Sequence, residues 1–262
     1  MIKFFRHLRQ NLMETGKTSK PALPAFGRKS AGRYLEYAIG EIVLVVIGIL
    51  IALQINNWNV GRIEKDKEKV IILNLHTEFK ENLKDLDSIQ LMLTVAIDAS
   101  EIIFKMFQED VSNYNTKTID SLLSLSLTSP SWKPSEFVLN DLENSGGLSK
   151  LSSTKLKKLL FEWSRFFNEI KETNHDIEYT TSEYIKFIKD HGSMRNVDVS
   201  DPTFKYRRSN LQIDNVKLIQ NFKFENYLDD KLFVLIEAKD QFQLANNLIQ
   251  KILEVTSLKN DD

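Results

Sequence analysis

Residues 37–58 read YAIGEIVLVVIGILIALQINNW. The uninterrupted apolar run inside this stretch, Ile42 to Leu53, covers twelve residues. Alone, a run of that length suits a buried helix or a signal-peptide core. Its flanks change the reading. Ala38, Ile39 and Gly40 extend it on one side and Ile55 on the other, and Tyr34, Tyr37 and Trp58 stand where the aromatic belts of a membrane helix belong. As a helix, 37–58 is roughly 33 Å long at about 1.5 Å per residue, enough for a hydrocarbon core of about 30 Å. A cleaved signal peptide fits less well, because Gln-Ile-Asn-Asn-Trp follows Leu53 where a small-x-small cleavage pattern belongs. Residues 37–58 are therefore predicted to form a transmembrane helix in a lipid bilayer.

Glu41 lies near the start of that helix. A carboxylate within a span is by default a functional hypothesis. Glu41, Gly48, Ala52 and Ile55 share one helical face, and Gly48 and Ala52 form a small-xxx-small pair that lets a second helix approach closely. Three readings follow. The carboxylate reaches the headgroups from about one turn inside the span. Or it makes a hydrogen bond or ion pair in a helix–helix seam, which admits a homo-oligomer. Or it carries protons in an ion-coupled transport accessory.

Charge separates the chain on either side of the span. Residues 1–36 carry eight Lys and Arg against Glu14 and Glu36, a net +6, which leaves −7 for the remainder of the 262 residues. An acidic body of this kind excludes a phosphate-binding nucleic-acid partner. Lys and Arg close to the span are evenly matched on its two sides. The rest of the short basic tail decides the orientation, since short basic tails are retained while long domains translocate largely regardless of charge. The prediction is a cytoplasmic N-terminus and an extracytoplasmic body. Within the tail, Ile2, Phe5, Leu8 and Leu12 fall on one helical face, with Lys3, Arg6 and Arg9 mostly elsewhere. That pattern suits a short helix on an anionic leaflet or, equally, a flexible tail that only sets topology. Residues 16–33, with two Pro and three Gly, read as a linker.

Gly and Pro number only nine and five, which favours long helices. After a charged stretch, Val70, Ile71, Leu73, Leu75, Phe79, Leu83 and Leu86 recur near helical spacing, and the pattern continues to Phe107. Residues 113–116 read as a break. Ser129-Pro130-Ser131-Trp132-Lys133-Pro134 reads as a loop that starts a helix capped by Ser135 or Pro134 and stopped at Gly146. Ser152 or Ser153 opens a second long helix that ends at His191-Gly192. Residues 193–212 are predicted to hold a short strand or an ordered loop, and a final helix runs from about Phe224 to Ser257 through Leu232, Leu235, Ile236 and Phe242. The predicted fold is all-α: one N-terminal transmembrane helix followed by an antiparallel helical bundle.

Chemistry is hard to find. Cys is absent, which removes disulfides, thiolate catalysis and Cys-based metal sites. There is no phosphate loop, dinucleotide fingerprint or His-Glu-x-x-His, and His7, His76, His175 and His191 are scattered. No catalytic, cofactor-binding or metal-ligating residue is predicted. Phe204-Lys205-Tyr206-Arg207-Arg208 interleaves aromatic and basic residues, as an anion or sugar grip does, and more often as a solvated loop with two anchored aromatics does. Trp132, Phe137 and Trp163 read as core or as a pocket lining, and Ser145-Gly146-Gly147 as a helix stop or an anion nest.

The opening MIKFFRHLRQ and the span YAIGEIVLVVIGILIALQINNWN resemble a domain-of-unknown-function family of single-span membrane proteins from Bacteroidota. Two looser echoes are LNDLENSGGLSKLSSTKLKKLL and LIQNFKFENYLDDKL. The resemblance implies an anchor in the bacterial inner membrane and a mostly helical body, and it brings no activity. The organisation expected is thus a cytoplasmic tail and linker (1–36), a transmembrane helix (37–58) and a periplasmic helical domain (59–262). The function expected is a non-enzymatic interaction or scaffolding role with an envelope protein partner. The alternatives are an ion-coupled accessory using Glu41 and a small-ligand sensor acting through a partner.

Overall fold

The computed structural model describes residues 29–110 and 113–257, with side chains from Leu35 onward. The amphipathic tail face (Ile2, Phe5, Leu8, Leu12), His7 and most of the expected linker lie outside the described residues, as does the side chain of Tyr34.

Helix α1 runs from Lys29 to Met106 without a break. No proline occurs between Pro24 and Pro130, so nothing in this stretch removes a backbone donor or clashes with the preceding turn. One reading is corrected here: residues 29–33, expected to be linker, are helical. The charged stretch after Trp58 carries the same helix onward. The chain divides into two compact units, one through Ile63 and one from Glu64. In the first, every described side chain from Leu35 to Ile63 is exposed.

The second unit is a helical bundle. After α1 come α2 (Thr116–Ser126), α3 (Phe137–Asn144), α4 (Gly147–Lys150), α5 (Thr154–His191), α6 (Met194–Asp198), a 3-10 turn (Asn215–Gln220) and α7 (Phe222–Thr256). No strand occurs among the described residues, so residues 193–212 form a short helix and an ordered loop. Ser153 caps α5, accepting from the Leu156 N–H at 3.1 Å, and Gly192 closes it by donating to Ile188 O at 2.8 Å. Gly146, at φ 67°, makes the left-handed turn between α3 and α4.

Each long helix buries one stripe that steps alternately by three and four residues. In α7 it is Phe224, Leu228, Lys231, Leu235, Ala238, Phe242, Ala245, Ile249, Ile252 and Thr256, every one buried. In α1 it runs through Leu75, Phe79, Asn82, Leu86, Leu93, Ala96, Ser100 and Ile103, and in α5 through Leu156, Leu160, Trp163, Ile170, Asn174, Ile177, Thr181, Tyr184 and Ile188. This spacing is the seam of helices crossing at about 20°. Cross-contacts set the directions: Phe79 meets Trp163 edge-to-face at 5.1 Å, His76 bonds Thr256 at 3.0 Å, and Tyr184 stacks on Phe224 at 5.3 Å. Hence α1 and α5 run parallel, and α7 runs antiparallel to both. Val70, Leu73 and Ile236, expected on buried faces, are exposed at 58%, 50% and 44%. They sit one or two residues out of register with the seam.

Candidate functional site

The stripes contain polar residues where a packed seam calls for apolar ones. These are the chemically informative positions of the bundle. The segment between α2 and α3, Ser129 to Glu136, contains Pro130 and Pro134 and cannot form a helix of its own. Two stripe asparagines supply the hydrogen bonds it lacks. Asn174 of α5 accepts from the Trp132 N–H at 3.0 Å and donates to Trp132 O at 2.6 Å. Asn82 of α1 does the same to Ser135, at 2.7 Å and 2.8 Å. Each amide acts as a neighbouring strand would, pairing both polar groups of one residue. Trp132 is thereby held against Trp163 and Phe242, at 6.1 and 5.9 Å.

Glu78, one turn before Asn82, is the functional cap of α3. Its carboxylate accepts from Ser135 Oγ at 2.5 Å and from the Val138 N–H at 3.2 Å. Sequence reasoning placed the cap on Ser135 or Pro134. Ser135 contributes only a 3.4 Å contact from the Phe137 N–H, and the cap position itself falls on Glu136, which makes no side-chain cap bond. The Glu136 carboxyl is pushed up to about 7, first by burial and also by the nearby carboxylates of Glu143 and Glu78, against the pull of Lys171.

Lys231 is the most unusual member of the α7 stripe. Its side chain is fully buried, and its ammonium donates to Thr181 Oγ1 at 2.6 Å and Thr128 O at 3.2 Å. Both acceptors are neutral. Burial lowers its pKa from the usual lysine range to about 7.

At the end of the bundle where α5 stops and α7 starts, Asp120 of α2 is fully buried. It is paired with Arg208 and accepts from Asn215 Nδ2 at 2.6 Å. Asn215 in turn accepts from the Ser193 N–H at 2.6 Å and donates to Ser193 O at 3.2 Å. Asn196 accepts from the Ser209 N–H at 2.9 Å. This polar node ties the loop between α6 and the 3-10 turn to α2 and to the end of α5.

The residues singled out from sequence fall as follows. Tyr37, Glu41, Gly48, Ala52, Ile55 and Trp58 are exposed, and a Cβ added at Gly48 meets nothing within 4 Å. Arg62 sits over the Trp58 ring at 5.5 Å. Trp132 and Trp163 are core residues, whereas Phe137 is 81% exposed. In the aromatic–basic run, Phe204 and Tyr206 contact each other at 5.6 Å and stay exposed, and Arg195 lies over Tyr206 at 5.7 Å. The anchor of that loop is Arg208, not the two aromatics. His175 and Asp176 are exposed neighbours at 3.4 Å, and His191 stacks on Phe187. No group of three or more His, Asp or Glu suited to a metal ion occurs among the described residues.

Sequence reasoning missed Asn82, Asn174, Asn215, Glu78 and Lys231. For Asn82, Asn174 and Lys231 the signal available was their register, a polar residue at three–four spacing within an apolar stripe; Asn215, in the 3-10 turn, and Glu78, beside the stripe, carried no such signal.

A family of unknown function, DUF6090, matches residues 41–127, which run from Glu41 through the rest of α1 to the end of α2. The looser echoes at residues 139–160 and 218–232 lie beyond that match. No curated protein and no solved structure matches the chain.

Proposed function

We propose that the chain is a single-pass protein of the bacterial inner membrane, with its N-terminus in the cytoplasm and its helical bundle in the periplasm serving as an interaction or scaffolding domain without catalytic activity. The observation that carries this reading is the run Leu35–Ile63. It is long and apolar enough to cross a membrane, and every one of its side chains is exposed. In water, uncovered Ile, Val and Leu cost about 25 cal/mol per Å², whereas a bilayer covers them.

The bundle's interior supports a mechanical role. Its buried polar groups are used to fasten loops: Asn82 and Asn174 on one side, Asp120 and Asn215 on the other. Within the span, the seam of Glu41, Gly48 and Ala52 leaves the backbone open to a second helix. The test is extraction of membranes with alkaline carbonate: the chain stays in the pellet, and a Val45→Asp/Ile49→Asp variant moves to the soluble fraction. Recovery of the unmodified chain in the soluble fraction overturns the anchor.

A further inference from the structure

The end of the bundle where the chain enters it carries a groove that the anchoring role does not use. Its wall on one side is the first turns of the bundle part of α1, and on the other the α3–α4 corner and the turn into α5. Ile71, Leu142 and Leu151 give it an apolar floor, and its volume is about 320 Å³. The two sides are locked together by Glu68, whose carboxylate accepts from both the N–H and the hydroxyl of Ser152, at 2.5 and 2.7 Å. Glu68 is therefore committed. The remaining charged groups on the lining are not: the ammonium groups of Lys65, Lys67 and Lys150, and the carboxylates of Glu64 and Asp141, form no ion pair or side-chain hydrogen bond among the described residues. Five unpaired charges of both signs thus line one apolar-floored groove, and Glu64 lies six residues along the chain from Trp58.

We infer that this groove receives the headgroup of a zwitterionic phospholipid that carries a primary amine, its phosphate on the lysines and its ammonium on Glu64 and Asp141. The inference rests on the anchoring of the chain by residues 37–58. Three arguments fix the ligand class. Both signs of charge are free on the lining, so a headgroup bearing both satisfies more of them than an anionic headgroup does. The bundle as a whole is acidic, with residues 64–262 carrying 26 Lys and Arg against 33 Asp and Glu, which disfavours anionic lipid at long range. A primary ammonium donates hydrogen bonds to carboxylates, and a quaternary one, as in phosphatidylcholine, donates none. The apolar floor accommodates the glycerol end of the headgroup.

The experiment uses the full chain reconstituted in vesicles of phosphatidylcholine alone, or with an equal share of phosphatidylethanolamine or phosphatidylglycerol. Flotation of the vesicles reports the anchor separately. Hydrogen exchange of the amides of residues 147–152 reports the groove. With phosphatidylethanolamine present at twice its dissociation constant, exchange there slows about threefold relative to phosphatidylcholine alone. The slowing disappears in Glu64→Gln/Asp141→Asn and in Lys65→Gln/Lys67→Gln/Lys150→Gln, variants confined to exposed side chains. Lys186→Gln/Lys189→Gln, at the other end of α5, keeps it. Equal exchange in all three vesicles, or greater slowing by phosphatidylglycerol, overturns the assignment. A chain that fails to float overturns the anchor, and the groove's ligand with it.

Discussion

Inside the bundle, Lys231 of α7 places its ammonium 2.6 Å from the hydroxyl of Thr181 on α5, with a backbone carbonyl as its other partner and no carboxylate. Its two hydrogen-bond partners, the Thr128 carbonyl after α2 and the Thr181 hydroxyl on α5, are both neutral. A buried cation without a counter-charge is costly, and the cost depends on pH.

The direction follows from linkage. Lys231 has a folded-state pKa near 7 against 10.5 for the free side chain, so the folded state binds fewer protons between those values. Its contribution to stability is fully present above 10.5 and is lost as pH falls to 7. Glu136 acts in the opposite sense, since its pKa is raised from 4.5 to about 7 and its contribution is lost as pH rises through that window. Together the two groups give a stability minimum near pH 7. Lys231→Met removes the alkaline limb of the curve. At pH 10 it is less stable than the parent by about 1–2 kcal/mol, having lost two hydrogen bonds, and near pH 7 the difference closes or reverses. Denaturant titrations between pH 5 and 10 check both limbs.

Asn174 holds the buried N–H and C=O of Trp132. Asn174→Ala leaves both without a protein partner, at about 1–3 kcal/mol for each unsatisfied group. Asn174→Asp retains the acceptor but sets a carboxylate oxygen against Trp132 O, where the amide donated, so near neutral pH its loss in a urea titration is at least as large as that of the alanine variant.

Gly192 adopts extended backbone angles, φ −135° and ψ −164°, which any residue can take. Its side-chain vacancy is what the fold uses: a Cβ there comes within 2.6 Å of Asn215 Oδ1, 3.0 Å of Leu218 Cδ1 and 3.1 Å of Ile188 O. Gly192→Ala pushes Asn215 off Ser193 and Asp120 and lowers stability by about 2–3 kcal/mol. Gly146→Ala meets no atom within 4 Å and costs only the left-handed backbone, about 1–2 kcal/mol. The two midpoints in a thermal melt should fall in that order.

Gly48→Leu and Ala52→Leu fill the face through which a second span would approach. Self-association of the detergent-solubilised chain, measured by crosslinking or light scattering, decreases by at least about tenfold, a coupling of about 1.4 kcal/mol, while Leu50→Ala on another face leaves it unchanged.

The long apolar helix, the two other long helices, the Ser153 cap and the Gly146 turn were legible in the sequence, because apolar periodicity, a hydroxyl before a helix and a glycine after one each act locally. The start of α1 was less so: the prolines and glycines of residues 16–33 read as a linker up to Arg33, although no proline stands between Lys29 and Met106. The fastening residues were legible only as polar breaks in apolar stripes. Asn82, Asn174 and Lys231 are ordinary polar residues until the opposing helices show that the three–four register buries them. Arg208, inside the aromatic–basic run, showed the opposite fault. The composition suggested a loop anchored by its two aromatics, whereas they stay exposed and the Arg208 guanidinium is spent on Asp120, 88 residues away in the chain.

The central claim is that the bundle lies on the far side of a membrane from the tail. The chain contains no Cys, and Ser182 is exposed on α5 with no side-chain hydrogen bond among those described, so Ser182→Cys provides a single reporter thiol. Intact cells with a permeabilised outer membrane are treated with a membrane-impermeant maleimide, with lysed cells as the control. Labelling to the level of the lysed control before lysis is the predicted result. Labelling only after lysis contradicts the account, placing the bundle in the cytoplasm.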